Sequence, residues 1–381
     1  MPDSSTSIRL NPFKGMLGPE GAPVPWNPLG RILRERPVFT LDPLFHAGCY
    51  YVQDSSAMFV GALFRRLLPE VLRPGIRVLD LCAAPGGKTT DLAASLRESC
   101  GGDFLLVSNE VMRARSRILL DNVAVWGDPN VVVTSVDPAA FASLRGYFDV
   151  IVADVPCSGE GMFRKDPRAR EEWSPEVVDL CAARQKRILA DVWPSLRPGG
   201  VLIYSTCTYE EKENDDNLKW AAQELGGRIV EPTSEYSAHG VRTTDCGNLL
   251  HDGEVPGEGQ WAGALFKEGG DRSGAGDKSL DTLHPLRRGV PEGEWKGRDF
   301  IPSPDWALSL DFERGRYPEA EVDRLTALKF LHRDSISLSS DAPRGYNVIT
   351  YMGRPLGFVK NLGNRCNNLH PQARRILMDI K

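Results

Sequence analysis

Two cysteines occupy places where a nucleophile would be useful. Cys157 lies in "DVPCSGEG" and Cys207 in "IYSTCTY", each just after an apolar run that reads as a β-strand. A thiolate at such a strand end could attack an electrophilic ring carbon. Spacing alone does not say which of the two would attack. Cys49, Cys100, Cys181 and Cys246 read instead as small buried hydrophobes. The eight cysteines are scattered, with no CxxC pair, which argues against a zinc knuckle or a disulfide framework. No metal is expected.

Acids follow successive strands. Glu110 closes "FLLVSNE", 30 residues after Asp80; Asp137 follows the third strand, and Asp154 closes "FDVIVAD". An acid at the second strand end can hydrogen-bond both ribose hydroxyls of a nucleoside cofactor. Singly, each would more commonly be a helix cap or an ion-pair partner. The first strand runs into "LCAAPGGKTTDLA", a Gly-rich turn of Cys82, Ala83, Ala84, Pro85, Gly86, Gly87 and Lys88. Such a turn brings backbone N–H groups and a helix N-terminus close to a ligand. It is neither a P-loop nor GxGxxG, and many turns need glycine only for positive φ. Turn and acids together point to a nucleoside cofactor in one cleft.

Elements that would position these residues alternate along the chain. Strands are expected at 77–82, 104–109, 130–134, 148–154 and 201–206, with helices at 89–97, 114–125 and 175–194. Pro175 behind Ser174 reads as an N1 proline behind an N-cap, and "RPGG" at 197–200 as a helix stop. This is the pattern of βαβ units around a parallel sheet, whose ligands bind beyond the C-terminal strand ends. Residues 1–55 form an N-terminal segment, with a helix starting near 54–56, and 56–268 the α/β domain. Residues 269–299, rich in Gly, Ser, Asp and charge, read as a linker. Residues 300–381 form a small second domain with strands and a turn at 352–354.

Charge is uneven. The net is −5 over 381 residues, yet 344–381 carries seven basic residues and one acid. Such asymmetry can mark a polyanion-binding surface on an acidic body. Arg164, Lys165, Arg168 and Arg170, beside the Cys157 loop, are further candidates for phosphate contact. No apolar run approaches the roughly 20 residues of a membrane span, and the first residues lack a secretory h-region. A cytoplasmic monomer with reduced thiols is expected.

"DLCAAPGGKT", "DVPCSGEGMFRKDP" and "YSTCTYEEKEND" resemble the signature motifs of the Sun family of RNA cytosine-5 methyltransferases. "SIRLNPFKG" is similar to that family's N-terminal strand. "GRPLGFVKNLGNRCNNLHP" resembles the PUA-like RNA-binding domain of its bacterial small-subunit ribosomal RNA subgroup. The residues before Ser7 are fewer than in many relatives, so some RNA contacts are expected to be missing or supplied elsewhere. The resemblance implies a Rossmann-like domain that binds S-adenosylmethionine through Cys82 to Lys88, Glu110, Asp137 and Asp154. It implies methylation of cytosine C5 in RNA, with 16S ribosomal RNA or the small subunit as partner and transfer RNA as the alternative. DNA cytosine methyltransferases attack with the cysteine of a Pro-Cys pair, which would be Cys157. The Sun family uses the Thr-Cys cysteine, which makes Cys207 the nucleophile and Cys157 the group assisting release. Asp154 would hydrogen-bond the base, and Lys88 would favour the thiolate. Two rivals are a methyltransferase of proteins or small molecules, which would not need paired cysteines, and a non-catalytic RNA-binding assembly factor.

Overall fold

A computed structural model describes residues 6–164, 167–269 and 279–380. The chain opens with an antiparallel sheet of β1 (Ser7–Leu10), β2 (Ala22–Val24), β3 (Asn27–Ile32) and β4 (Tyr50–Val52), in the order β2-β3-β1-β4. A short helix, α1 (Pro43–His46), precedes β4, and the Asp42 carboxylate caps it by accepting from the Leu44 amide. Helix α2 (Phe59–Val71) starts later than expected, because Asp54 first turns the chain by accepting from the Ser56 amide at 2.9 Å.

The central sheet has five parallel strands: β5 (Ile76–Asp80), β6 (Phe104–Asn109), β7 (Val131–Thr134), β8 (Phe148–Asp154) and β9 (Leu196–Thr206). They are ordered β7-β6-β5-β8-β9, so the topological switch lies between β5 and β8. Crossovers run through α3 (Gly87–Cys100), α4 (Arg113–Trp126), α5 (Pro167–Glu172) and α6 (Pro175–Val192). Val78, Val150 and Ile203 point to one apolar layer, while Leu79, Ile151 and Leu202 point to the other. That two-sided burial explains the near-continuous apolar runs. Helix α6 starts as expected, with Ser174 accepting from the Val177 amide. It stops at Val192, before "RPGG". Arg197–Gly200 belong to β9, where they bulge out between the pairs Phe148↔Leu196 and Val150↔Val201. Gly199, at φ 74°, supplies the bend.

After α7 (Asp215–Leu225) come β10 (Gly227–Ile229), β11 (Val241–Thr243), β12 (Gly247–Leu250) and β13 (Gln260–Lys267). None of these was among the expected strands. β13 lies antiparallel beside β9 and carries β10 and β12. Of the expected linker 269–299, residues 270–278 lie outside the described residues, and the rest is structured. Leu280 and Leu283 are buried, and β14 (Arg287–Arg288) pairs with β7 at the sheet edge. A hairpin, β15 (Gly293–Lys296) and β16 (Asp299–Pro302), follows.

The C-terminal unit has β17 (Glu319–Glu321), helix α8 (Arg324–His332), β18 (Gly345–Tyr351), β19 (Arg354–Asn361) and β20 (Cys366–Asn368). The turn expected at 352–354 joins Tyr351 to Arg354. Met352 and Gly353 both take positive φ, as a two-residue hairpin of matching twist requires. Ile8, Leu10 and Leu44 share one core with Leu328, Phe330 and Leu356, so the first and last parts of the chain pack together. Lys14 bolts this pair to α4 by donating to Ala47 O at 2.9 Å and Val125 O at 2.7 Å. Burial pushes its ammonium down to about 7. Among the described residues no helix is long and apolar enough to cross a membrane.

His370 sits within this packing, its ring edge-on to Phe330 and its Nε2 3.2 Å from Arg374 O. Burial, with Arg374, His46 and Arg333 nearby, pushes its imidazole from 6.5 down to about 4. Between those values the unfolded chain holds the proton and the folded chain does not. Stability should therefore fall by roughly 3 kcal/mol as pH drops through that window. Thermal melts at pH 7 and pH 4.5 should show the loss, and His370→Gln should shrink it.

Candidate active site

The Gly-rich turn is tied down from several sides. Leu81 N donates to Val152 O at 2.9 Å, and Ala83 N to Asn109 O at 2.8 Å, which fixes the turn between β6 and β8. The Ala84–Pro85 peptide is cis, and Gly86 caps α3 at φ 114°, where only glycine is unstrained. From α4, Arg115 donates to Ala84 O at 2.7 Å and Asn122 to Pro85 O at 2.8 Å. From the N-terminal sheet comes Arg9, fully buried, whose guanidinium donates to Gln53 Oε1 at 2.9 Å, Gly87 O at 3.1 Å and Thr90 Oγ1.

Several of the expected residues converge beside this turn. Lys88 Nζ donates to Asp154 Oδ2 at 2.7 Å. Burial alone would lower the ammonium, but Asp154 and Asp80 outweigh it and hold the group above its ordinary value, with Cys207 also in range. Burial pushes the Cys82 thiol up, reinforced by Asp154, Asp80 and Glu110. The Glu110 carboxylate is almost wholly buried, accepts from Met112 N at 2.9 Å and lies 3.5 Å from Arg115. Asp137 stands at the edge: it caps the short helix Pro138–Ser143 and faces Arg187 at 3.9 Å, half-exposed.

The two cysteine sulfurs are 3.0 Å apart, and Cys207 N lies 3.3 Å from Cys157 Sγ. Contact with Cys207 and burial push the Cys157 thiol well up. Their loops are laced together. Ser158 Oγ is 3.0 Å from Thr208 Oγ1, and Glu160 accepts from Thr208 Oγ1 and Tyr209 N at 3.2 Å each. Gly161 and Gly259 pass so closely that a Cβ on Gly161 would lie 2.7 Å from the Gly259 Cα.

Sequence reasoning passed over several residues of this cluster. Asp80 is fully buried, takes a 2.6 Å hydrogen bond from Thr89 on Oδ2 and has no hydrogen-bond partner on Oδ1 among the described residues; burial pushes it up to about 7. Ser205 Oγ and Gln260 Nε2 hold Asp154 Oδ1 at 2.6 and 3.3 Å. Glu213 accepts from the Ser158 amide. Ser205 sits inside "YSTC" and was within reach of the motif, whereas Gln260 needs the unforeseen pairing of β13 with β9. Arg9 alternates with Ile8 and Leu10, which by sequence alone reads as a solvent face.

The basic candidates divide. Arg164 is engaged with Glu258 at 3.2 Å and Gly257 O at 2.8 Å, and Arg170 lies 5.4 Å over the Phe163 ring. Lys165 lies outside the described residues; Arg168 is exposed on α5. In the C-terminal unit, Arg374 is nearly buried against Asp305 and Asp121, whereas Arg344, Arg365 and Arg375 are exposed.

Three family models match in chain order. Residues 2–55 match the N-terminal domain of 16S rRNA methyltransferase RsmF, 71–244 match 16S rRNA methyltransferase RsmB/F, and 317–376 match the methyltransferase RsmF PUA domain. The chain belongs to the RsmB/F methyltransferase family. Ribosomal RNA small subunit methyltransferase F of Pectobacterium carotovorum is 39% identical over 228 residues, covering 57% of this chain and 45% of that protein. The Pectobacterium atrosepticum protein of that name is 37% identical over 260 residues, covering 65% and 51%. The chain thus spans about half the length of the curated relatives it matches. A methyltransferase homologue from Pyrococcus horikoshii is 26% identical with TM-score 0.57, over 69% of this chain and 86% of that one. NSun6 from the same organism, solved with SFG, is 24% identical with TM-score 0.51, over 64% and 58%. The central domain has the Rossmann-like fold of S-adenosylmethionine-dependent methyltransferases, and that compound is the cofactor of the family.

The Lys88–Asp154 pair gives a stability test. Asp154→Ala would strand a nearly buried ammonium and should lower the unfolding free energy by about 3 kcal/mol. Replacing both, Lys88→Met with Asp154→Leu, should lose much less in the same denaturant titration.

Proposed function

We propose that this protein methylates C5 of a cytosine in RNA, with small-subunit ribosomal RNA as substrate, through a covalent adduct of Cys207 with cytosine C6. The observation that carries the reading is the pair of thiols 3.0 Å apart at the ends of adjacent parallel strands, beside the Lys88–Asp154 pair. Methylation of nitrogen or oxygen requires no thiol nucleophile, so the pair favours a carbon target. The names and family models of the relatives support ribosomal RNA. In this reading residues 56–268 carry the chemistry, 300–381 help hold RNA, and the protein works in the cytoplasm.

The residues around the Gly-rich turn suit a nucleoside cofactor. The unpartnered Asp80 oxygen, the Glu110 carboxylate and the opening amides of α3 supply acceptors and donors along one strand-end cleft. When bound, S-adenosylmethionine supplies an electrophilic methyl carbon. In the proposal Glu110 holds the ribose, while Asp137 and the residues from Cys82 to Lys88 complete the pocket.

Cytosine C5 is too weak a nucleophile by itself. The Cys207 thiolate forms a bond to C6, which moves the C5–C6 π electrons onto C5 and makes it enamine-like. Lys88, whose ammonium neighbours Cys207, favours the thiolate. Asp154, held by Lys88, Ser205 and Gln260, hydrogen-bonds the N3–N4 edge of the base and lowers the barrier to addition. Once C5 carries the new methyl it gives up its proton to solvent water. The returning electron pair restores the double bond and expels Cys207, with Cys157 assisting. The cleft requires a base turned out of its stack, which costs least in loops and bulges.

Two predictions follow the division of labour. Cys207→Ala should be inactive and leave RNA unattached in denaturing gels. Cys157→Ala, with cofactor present, should accumulate a protein–RNA species that survives denaturant; the reverse pattern would assign attack to Cys157. For the RNA grip, neutralising Arg344, Lys360, Arg365 and Arg375 together tests the basic residues of the C-terminal unit without cutting into the shared core. Affinity should fall and the slope of log K against log[salt] should flatten by about 3, with cofactor affinity unchanged.

A further inference from the structure

Glu213 carries a carboxylate that the chemistry above does not use. It ends the short helix Glu211–Glu213, beyond the Cys207 loop, and is fully buried. Its Oε2 accepts from Ser158 N at 3.1 Å and from Gln185 Nε2 at 2.6 Å, with Oε1 3.3 Å from the same amide. Gln185 is itself oriented: it also donates to Pro156 O at 3.0 Å and accepts from Asn217 Nδ2 at 2.7 Å. Tyr204 Oη donates to Glu213 O at 2.5 Å. The Glu213–Ser158 and Gln185–Pro156 contacts thus converge on the strand-end loop that carries Cys157, clamping residues 156 and 158 on either side. A neutral amide could fill the same space at lower desolvation cost, so a buried anion here asks for a reason.

We propose that Glu213 is a positioning residue that grips the Ser158 amide and so holds the Cys157 thiol, still carrying its proton, against Cys207. The inference rests on the two-cysteine reading above. An anion beside a thiol opposes its ionisation. Glu213 acts on Cys157 in that direction, behind the contact with Cys207 and burial. Other groups facing this corner are Asp154 and Tyr204 on the strands, Cys207, Glu160 and Glu210 on the two loops, and Cys181 with Arg184 on α6. A thiol kept protonated there does not compete with Cys207 for cytosine C6, and it keeps a proton ready beside the reacting sulfur.

The test separates charge from grip. In a Cys207→Ser background, the rate of Cys157 alkylation by iodoacetamide is followed against pH by peptide mass spectrometry, with and without Glu213→Gln. Glutamine can still accept from Ser158 N and Gln185 but carries no charge. The midpoint should move to lower pH, making alkylation about tenfold faster at a fixed pH below both midpoints, the equivalent of one pKa unit. Glu213→Asp keeps the charge but shortens the reach, and should leave the midpoint high while loosening the loop. With Cys207 intact, Glu213→Gln should lower kcat and leave KM for RNA within about twofold, because the interaction is not one with bound RNA. Glu213→Gln should also fold. If it does not, Glu213 is a packing residue and the proposal falls; an unmoved alkylation midpoint in a folded variant overturns it equally. Failure of the wild-type chain to methylate any RNA would instead overturn the proposed function, and the alkylation experiment would still read the effect of Glu213.

Discussion

The register between β8 and β9 governs everything at the cleft. Ile151 pairs with Leu202, Val152 with Ile203, Ala153 with Tyr204 and Asp154 with Ser205. Because side chains alternate along a strand, a slip of one residue on either strand would exchange the side chains of the two apolar layers and aim Asp154 away from Lys88. The opposite end of the two strands is pinned electrostatically. Asp149, fully buried, receives Arg73 Nε at 2.5 Å, Arg77 N at 2.8 Å and the Arg197 guanidinium. The bulge at Arg197–Gly200 absorbs the residues that would otherwise shift the pairing. With the register held at one end, the loops leaving the other end deliver Cys157 and Cys207 to the same point.

The glycine turn is held as firmly as the strands, though by different means. Its own amides are anchored to β6 and β8, but its outer side leans on the N-terminal sheet through Arg9 and on α4 through Arg115 and Asn122. Arg9 is wholly buried; burial lowers its guanidinium, which Asp91 partly offsets. An ion in that position is stable only while its partners stay in place. The N-terminal sheet also shares a core with the C-terminal unit. Packing in the small terminal units is thus continuous with the backbone of the Gly-rich turn.

Charge is allocated along the same lines. Arg9, Arg164, Arg197 and Arg374 are all drawn inward to carboxylates or carbonyls, where they hold elements together. They contribute little to an outward potential. Arg374 is turned inward while Arg344, Arg365 and Arg375 stay exposed, so the counted surplus in 344–381 overstates the basic surface. Within the cleft the reverse holds: the acids outnumber the single ammonium of Lys88, and burial drives Asp80 up to about 7.

Strand and helix positions of the central domain were legible because burial on both sheet faces leaves long apolar runs, and because Ser174–Pro175 writes a helix start plainly. That Lys88, Asp154, Cys157 and Cys207 would stand close together was legible too, since strand-end turns in such a sheet open onto one cleft. Several features were invisible in one dimension. "RPGG" looks like a helix stop, and only pairing with β8 makes it a bulge; 280–288 looks like linker, and only the free edge of β7 makes part of it a strand. Arg9, Gln260 and Glu213 looked like ordinary polar residues, because nothing in their neighbours along the chain signals a hydrogen-bond partner 28 to 106 residues away. Local sequence determined which side chains stand at strand ends, through alternation and turn chemistry. Long-range pairing decided which of them meet, because hydrogen-bond partners at 3 Å are chosen by register and packing rather than by order along the chain.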